Sequence, residues 1–259
     1  MSSLQDRLYL LRGTVSYNQI EVYDVCDSYR FLHHLNVPAL GFAFDIVVCG
    51  CYDCAYISDT KIRWVHRVPL DGSEVTGWPV NDVPSCLSLT FKDTVLVTCR
   101  KVDKIKEFAT HGEFLREIDL QTDGWYLPWH AVQLCSGDFV VCHGDNEKQT
   151  PHGMSLVNSD GAVFKSIRCV FGQGFNTPSH MAVDGNEFIF VIDRNNCRVL
   201  LLPPTLTYAW KVVSCDELEG WKPYRLSVDV KRRLLYVAVN EHDKRGDYTA
   251  GRVVVVQLD

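Results

Sequence analysis

A proline followed by a short apolar strand recurs along this chain, and that recurrence constrains the fold more than any single residue does. The clear copies are Pro84-Ser-Cys-Leu-Ser-Leu, Pro128-Trp-His-Ala-Val, Pro178-Ser-His-Met-Ala-Val and Pro223-Tyr-Arg-Leu-Ser-Val. A degenerate copy starts at Pro38 and runs through Phe44-Asp45-Ile46-Val47-Val48. Successive prolines are 46, 44, 50 and 45 residues apart. A period of this length suits one four-stranded sheet per repeat, the unit of a β-propeller.

Within each repeat the apolar runs are short, rich in Val, Ile, Leu, Phe and Tyr, and separated by Gly, Asp, Asn or Ser. Such runs read as strands joined by tight turns. After Pro178 they are SHMAVD, EFIFVID, CRVLLL and TYAWKVV, with turns at Gly185-Asn186 and Arg194-Asn195-Asn196. No segment of about 12 residues or more carries a 3.6-residue apolar period, so very little helix is expected. Lys101 to Phe108 resembles a helix locally, but the repeat makes it a third strand.

Counting partial repeats gives six blades in one all-β propeller domain spanning 1–259, with repeats near 8–37, 38–83, 84–127, 128–177, 178–222 and 223–259. The first and last blades are incomplete in sequence. Residues 8–37 supply the second to fourth strands of a blade, and residues 223–259 the first three of another. Met1 to Arg7 look too polar for the missing first strand, so the chain is expected to close poorly or to be a fragment of something longer.

The string from Pro178 to Val199, with Ala-Val-Asp, a Gly turn, Val-Ile-Asp193 and then Asn-Cys-Arg198, resembles an NHL repeat. Tyr56-Ile57-Ser58-Asp59 carries the same Val-x-Asp element, whereas Cys99, His143 and Val239 replace Asp193 in other repeats. The resemblance implies a six-bladed propeller that binds proteins or RNA; no RING, B-box or coiled-coil pattern lies ahead of the repeats, so ligase activity is not expected of this chain. Six-bladed metal enzymes, the lactonases and a zinc-dependent amidating lyase among them, resemble it in fold only; their motifs do not map onto this chain.

Composition narrows the functional classes. The chain has 26 Lys and Arg against 32 Asp and Glu, a formal charge of −6, which opposes polyanion binding. No apolar run reaches membrane-spanning length, and the first residues lack the layout of a signal peptide, so no membrane partner is expected. Eleven cysteines cannot all pair, and there is no Asn-x-Ser/Thr acceptor. A reduced, cytoplasmic setting is therefore expected, with most thiols serving as small buried hydrophobes.

The residues two positions after the repeat prolines, Cys86, His130, His180 and Arg225, together with Asp45, are expected near the mouth of the central channel. His, Cys and Asp are zinc-ligand types, so Asp45, Cys86, His130 and His180 are the candidate metal ligands, for zinc or calcium. The expected cofactor is nevertheless none. Cys49-Gly-Cys51-Tyr-Asp-Cys54 reads as a turn with incidental thiols, and Cys142-His143 as neighbours on opposite faces of one strand. Trp125, Tyr126, Trp129, Phe171, Phe175, Trp221 and Tyr224 sit near the blade junctions, where packing and recognition compete. Residues 222–252 hold eight Lys and Arg against four acids, which would be the place for an RNA-binding patch.

The sequence therefore points to a non-catalytic propeller that binds a protein or peptide through His130, His180, Arg225, Trp129 and Tyr224. A metal-dependent hydrolase or lyase using Asp45, His130 and His180 is the first alternative. An RNA-binding NHL domain is the second.

Overall fold

The computed structural model describes residues 1–14, 17–38, 40–121, 126–242 and 248–258. Trp125 and, within the basic stretch 222–252, Asp243, Lys244, Arg245 and Asp247 lie outside these residues. The chain is all-β, and its helical residues among those described are two single turns, η1 (Arg100–Val102) and η2 (Arg194–Asn196). It divides into two compact units, Met1–Asp119 and Leu120–Asp259.

The first unit contains three antiparallel four-stranded blades. They are β1 (Ser2–Leu4), β2 (Arg7–Thr14), β3 (Tyr17–Asp24) and β4 (Arg30–Leu35); β5 (Ala43–Cys49), β6 (Cys54–Asp59), β7 (Trp64–Pro69) and β8 (Thr76–Pro79); and β9 (Leu87–Leu89), β10 (Val95–Cys99), β11 (Lys104–Phe108) and β12 (Phe114–Asp119). Strands β6 and β10 are buried along their whole length. In β6, Ala55 and Ile57 enter the core shared with the first blade and Cys54 and Tyr56 the core shared with the third, so the usual one-sided alternation is absent. One core cluster, including Ile20, Val22, Ile46 and Ile57, joins the first two blades. A second, with Tyr56, Trp78, Val97 and Phe108, joins the next two. The Tyr56 hydroxyl donates to the Thr110 carbonyl at 3.2 Å, which satisfies a polar atom at the edge of that core.

The first blade departs from the sequence expectation. Ser2–Leu4 supplies its missing strand, paired Ser2 to Tyr9, Ser3 to Leu8 and Leu4 to Arg7. A ladder is made of backbone groups, so two serines pair as well as apolar residues do when their hydroxyls are accommodated. Ser2 Oγ accepts the Val48 N–H at 3.1 Å, and Met1 is buried.

The second unit contains β13 (Pro128–Gln133), β14 (Phe139–Asp145), β15 (Thr150–Val157) and β16 (Val163–Ile167); a small hairpin, β17 (Cys169–Val170) with β18 (Gln173–Gly174); β19 (Pro178–Val183), β20 (Ile189–Asp193), β21 (Arg198–Leu202) and β22 (Trp210–Val213); and β23 (Lys222–Asp229), β24 (Leu234–His242) and β25 (Tyr248–Gln257). The hairpin accounts for the longest proline spacing. The last blade has three strands, as its sequence implied. Val140, Met154, Met181 and Leu200 fill the core between its first two blades, and Ile192, Leu226, Leu235 and Val237 that between the next two.

Candidate binding face of the second unit

Strands β13, β19 and β23 lie side by side and carry His130, His180 and Arg225 at one equivalent position. Their pairing register shifts at the same place in each blade, between Pro128 and His130, Pro178 and Met181, and Pro223 and Arg225. A bulge re-aims the side chain that follows it, so the repeated proline and the repeated irregularity set one orientation for all three residues.

All three are buried. The His130 and His180 rings stack, with centroids 4.4 Å apart and planes 23° from parallel. Nδ1 of His130 accepts the Met181 N–H at 3.0 Å, and Nδ1 of His180 accepts the Leu226 N–H at 3.3 Å. Met181 and Leu226 each follow the equivalent residue of the next blade, so each imidazole ties its blade to the next opening strand. Because Nδ1 is an acceptor, the neutral ring carries its proton on Nε2.

In the first unit Asp45 makes the same tie. Its Oδ2 accepts the Leu87 N–H at 2.9 Å, immediately after Cys86. Asp45 and Cys86 are both fully buried there, and the register again shifts between Ala43 and Asp45.

The Tyr224 ring carries two guanidinium groups, Arg225 at 4.3 Å and Arg194 at 5.1 Å from its centroid. Arg225 Nη1 also donates to the Tyr224 carbonyl at 2.9 Å. Trp129 is half-buried against the neighbouring core, and its Nε1 donates to the Gly144 carbonyl at 2.9 Å. Of the other junction aromatics, Phe175 is buried, Trp221 lies 4.6 Å from the Arg252 guanidinium and Phe171 is exposed.

A polar network joins the turns at this end of the blades. His152 Nδ1 accepts the Thr177 N–H at 2.9 Å, and its Nε2 donates to Asn146 Oδ1 at 3.0 Å. Burial lowers the pKa of this ring. The Asp193 carboxylate accepts from Asn176 N at 2.7 Å, Asn196 Nδ2 at 2.8 Å and Arg198 Nε at 2.8 Å. The Asp-Arg-Asn-Asn-Cys-Arg string is thus a clasp around the η2 turn. Asp59 occupies the equivalent place in the first unit and accepts from the N–H groups of Gly41, Phe42, Lys61 and Ile62. Burial raises its pKa, but these four donors outweigh it and hold the carboxyl below its ordinary value.

Where the Asp is replaced, the position stays structural. Burial pushes the Cys99 thiol up to about 12. His143 is sealed by the Pro151 carbonyl, the Ser155 hydroxyl and the Tyr126 ring. Its neighbour Cys142 is also pushed up to about 12 by burial, so the two do not form an activated thiolate and base.

Cys49 and Cys54 face each other across β5 and β6 and are buried, whereas Cys51 lies exposed on the turn. Within the basic stretch, Arg232 pairs with Asp229 at 3.0 Å and Arg252 with Glu219 at 3.0 Å. Sequence reasoning missed Arg194, which comes to Tyr224 from the preceding blade, and no spacing signal marks it. It also missed the backbone ties of Asp45, His130 and His180, although the common offset of the two histidines from their prolines was visible.

No family model and no curated protein matches this sequence. Among solved structures the chain is similar to a protein of unknown function from Bacteroides caccae, with a TM-score of 0.71 at 14% identity over 96% of this chain and 90% of that one. It is similar to a chain of the nidogen/laminin complex, with a TM-score of 0.67 at 14% identity over 94% and 92%. It is also similar to a streptogramin B lyase, with a TM-score of 0.66 at 11% identity over 100% and 82%. At these identities the likeness shows the fold alone, and that fold is the six-bladed β-propeller.

Proposed function

We propose that this chain is a non-catalytic, NHL-like propeller scaffold that binds a protein or peptide at His130, His180, Arg225, Trp129 and Tyr224. The observation that carries the reading is the backbone N–H bond accepted by Nδ1 of each stacked histidine. A neutral imidazole has one lone pair for accepting, and here it is engaged. The ring is then a fixed Nε2–H donor, unsuited to taking a proton or ligating a metal through Nε2. A metal-bound histidine ordinarily donates through its other nitrogen, the reverse of this arrangement.

The Arg225, Tyr224 and Arg194 stack supports recognition, since Tyr, Trp and Arg anchor protein interfaces. The nidogen/laminin likeness adds a precedent in which the fold occurs in a protein complex. The streptogramin B lyase likeness is the precedent for the enzyme alternative, which requires His130 and His180 to release their Nδ1 bonds. RNA is the weaker ligand class, given the charge of −6 and the pairing of Arg232 and Arg252 with acids. The odd cysteine count supports a reduced, cytoplasmic setting.

The test is a peptide array probed with purified protein, alongside elemental analysis of the same metal-preserving preparation. Tyr224→Ala and Arg225→Gln should weaken captured peptides by at least about tenfold, equivalent to about 1.4 kcal/mol. Asn186→Ala, on the turn at the far end of β19, should leave them unchanged. Loss of binding in Asn186→Ala alone would overturn the placement. Stoichiometric zinc or calcium that disappears in His130→Ala would favour the enzyme.

A further inference from the structure

We propose that Cys197 and Cys215 form an oxidation site that closes to an intramolecular disulfide. The two residues lie in different connections of the second unit, and the backbone brings them to one corner. Cys197 ends the η2 turn in the left-handed region, at φ 48°, with its N–H donating to the Arg194 carbonyl at 3.1 Å. Cys215 lies in the loop before β23, where Gly220 N–H donates to the Cys215 carbonyl at 3.1 Å. The Cys197 thiol is 3.9 Å from the Gly220 carbonyl, which places it beside the same hydrogen-bonded turn. Cys215 is among the neighbours that act on the Cys197 thiol.

The loop is already shaped for this approach. Glu217 Oε2 accepts from Ser214 N at 2.8 Å and Ser214 Oγ at 2.6 Å, and Leu218 N–H donates to the Ser214 carbonyl at 3.2 Å. These bonds hold the loop in the turn that the Cys197 thiol reaches. Exposure separates the two roles: Cys215 is exposed and Cys197 is half-buried. Burial, and then the neighbouring Cys215, raise the Cys197 pKa, with the charge of Lys222 opposing. Cys215 is thus the entering nucleophile and Cys197 the resolving thiol.

The oxidant is a low-molecular-weight disulfide such as glutathione disulfide. Cys215 loses its proton, and its sulfur attacks one glutathione sulfur. The S–S bond breaks and the first glutathione leaves as a thiolate, forming a mixed disulfide at Cys215. Cys197 then loses its proton and attacks Cys215 Sγ, expelling the second glutathione thiolate. Two protein thiols are oxidised, one disulfide is reduced to two thiols, and the released thiolates take up the two protons. The link would fasten the turn that carries Arg194 to the loop leading into Tyr224 and Arg225, so oxidation would act on the guanidinium and tyrosine stack.

The experiment treats fully reduced, full-length protein with glutathione disulfide, traps remaining thiols by alkylation, and maps peptides without reduction. Wild type should give a Cys197–Cys215 linked peptide with a mass loss of about 2 Da. Cys197→Ser should instead accumulate a glutathione adduct at Cys215, and Cys215→Ser should give neither species. A wild-type protein that retains the Cys215 adduct, stays unmodified at both residues, or links either to a different cysteine would overturn the proposal. The wild-type map decides the question even if a serine variant fails to fold.

Discussion

His143 should make the second unit sensitive to mild acid, with a sign and size that follow from its surroundings. Its Nδ1–H donates to the Pro151 carbonyl at 3.0 Å, and Nε2 accepts from the Ser155 hydroxyl at 3.1 Å. Ser155 Oγ is in turn 2.7 Å from Ser166 Oγ, and Tyr126 stacks on the ring at 3.8 Å. Burial dominates and lowers the pKa to about 4; the Pro151 bond opposes it, and the charges of Arg168 and His152 add to the lowering. Above about pH 6.5 the imidazole is neutral in both folded and unfolded chains, so its contribution is fully present. Between about pH 6.5 and 4 the unfolded chain takes a proton that the native state refuses, and stability falls. Below about pH 4 the loss levels off. The fall from 6.5 to about 4 corresponds to about 3 kcal/mol in total, of which about 2 kcal/mol is lost by pH 5. The assay is urea unfolding of wild type and His143→Gln from pH 7.5 to 4.5, followed by tryptophan fluorescence. The variant should start less stable and lose less on acidification, with the two curves converging by about 2 kcal/mol at pH 5. Parallel curves between pH 7 and 5 would refute the reasoning.

Two further outcomes are expected. Asp59→Ala should destabilise the first unit by about 2–4 kcal/mol, because it removes the buried, charged acceptor of four backbone N–H groups. The Asp59 contribution is present above the unfolded carboxyl pKa and is lost as pH falls through the lower folded value, so the wild-type advantage should shrink in strong acid, as urea melts would show. Under native conditions at pH 8, iodoacetamide should label exposed Cys26, Cys51, Cys135, Cys169 and Cys215 well before Cys99 and Cys142, whose thiols are buried and pushed up to about 12. Early modification of Cys142 in a mass-mapped time course would contradict its burial.

The architecture was legible because its signals are local and repeated. Pro178, the apolar run to Val183, the Gly185-Asn186 turn and the buried IFVID strand each reflect short-range geometry, and the period multiplies that information. The same reasoning separated Cys142 from His143, since neighbours on a strand face opposite ways. It failed at Ser2–Leu4, where pairing depends on backbone groups and on Val48 meeting the Ser2 hydroxyl across a distance of 46 positions.

For the candidate site, the sequence by itself determined which residues recur two places after each proline. Only the tertiary structure decided what they do. The tie from His130 to Met181 spans 51 positions and that from His180 to Leu226 spans 46, and these bonds set the imidazole tautomers. Arg194 reaches Tyr224, and the Cys197 thiol reaches the Gly220 carbonyl, through the packing of one blade on the next. Composition and period specify strands and turns because those depend on neighbours in the chain. Donor and acceptor roles depend on which backbone groups a neighbouring blade brings within about 3 Å, and that is a property of the folded packing alone.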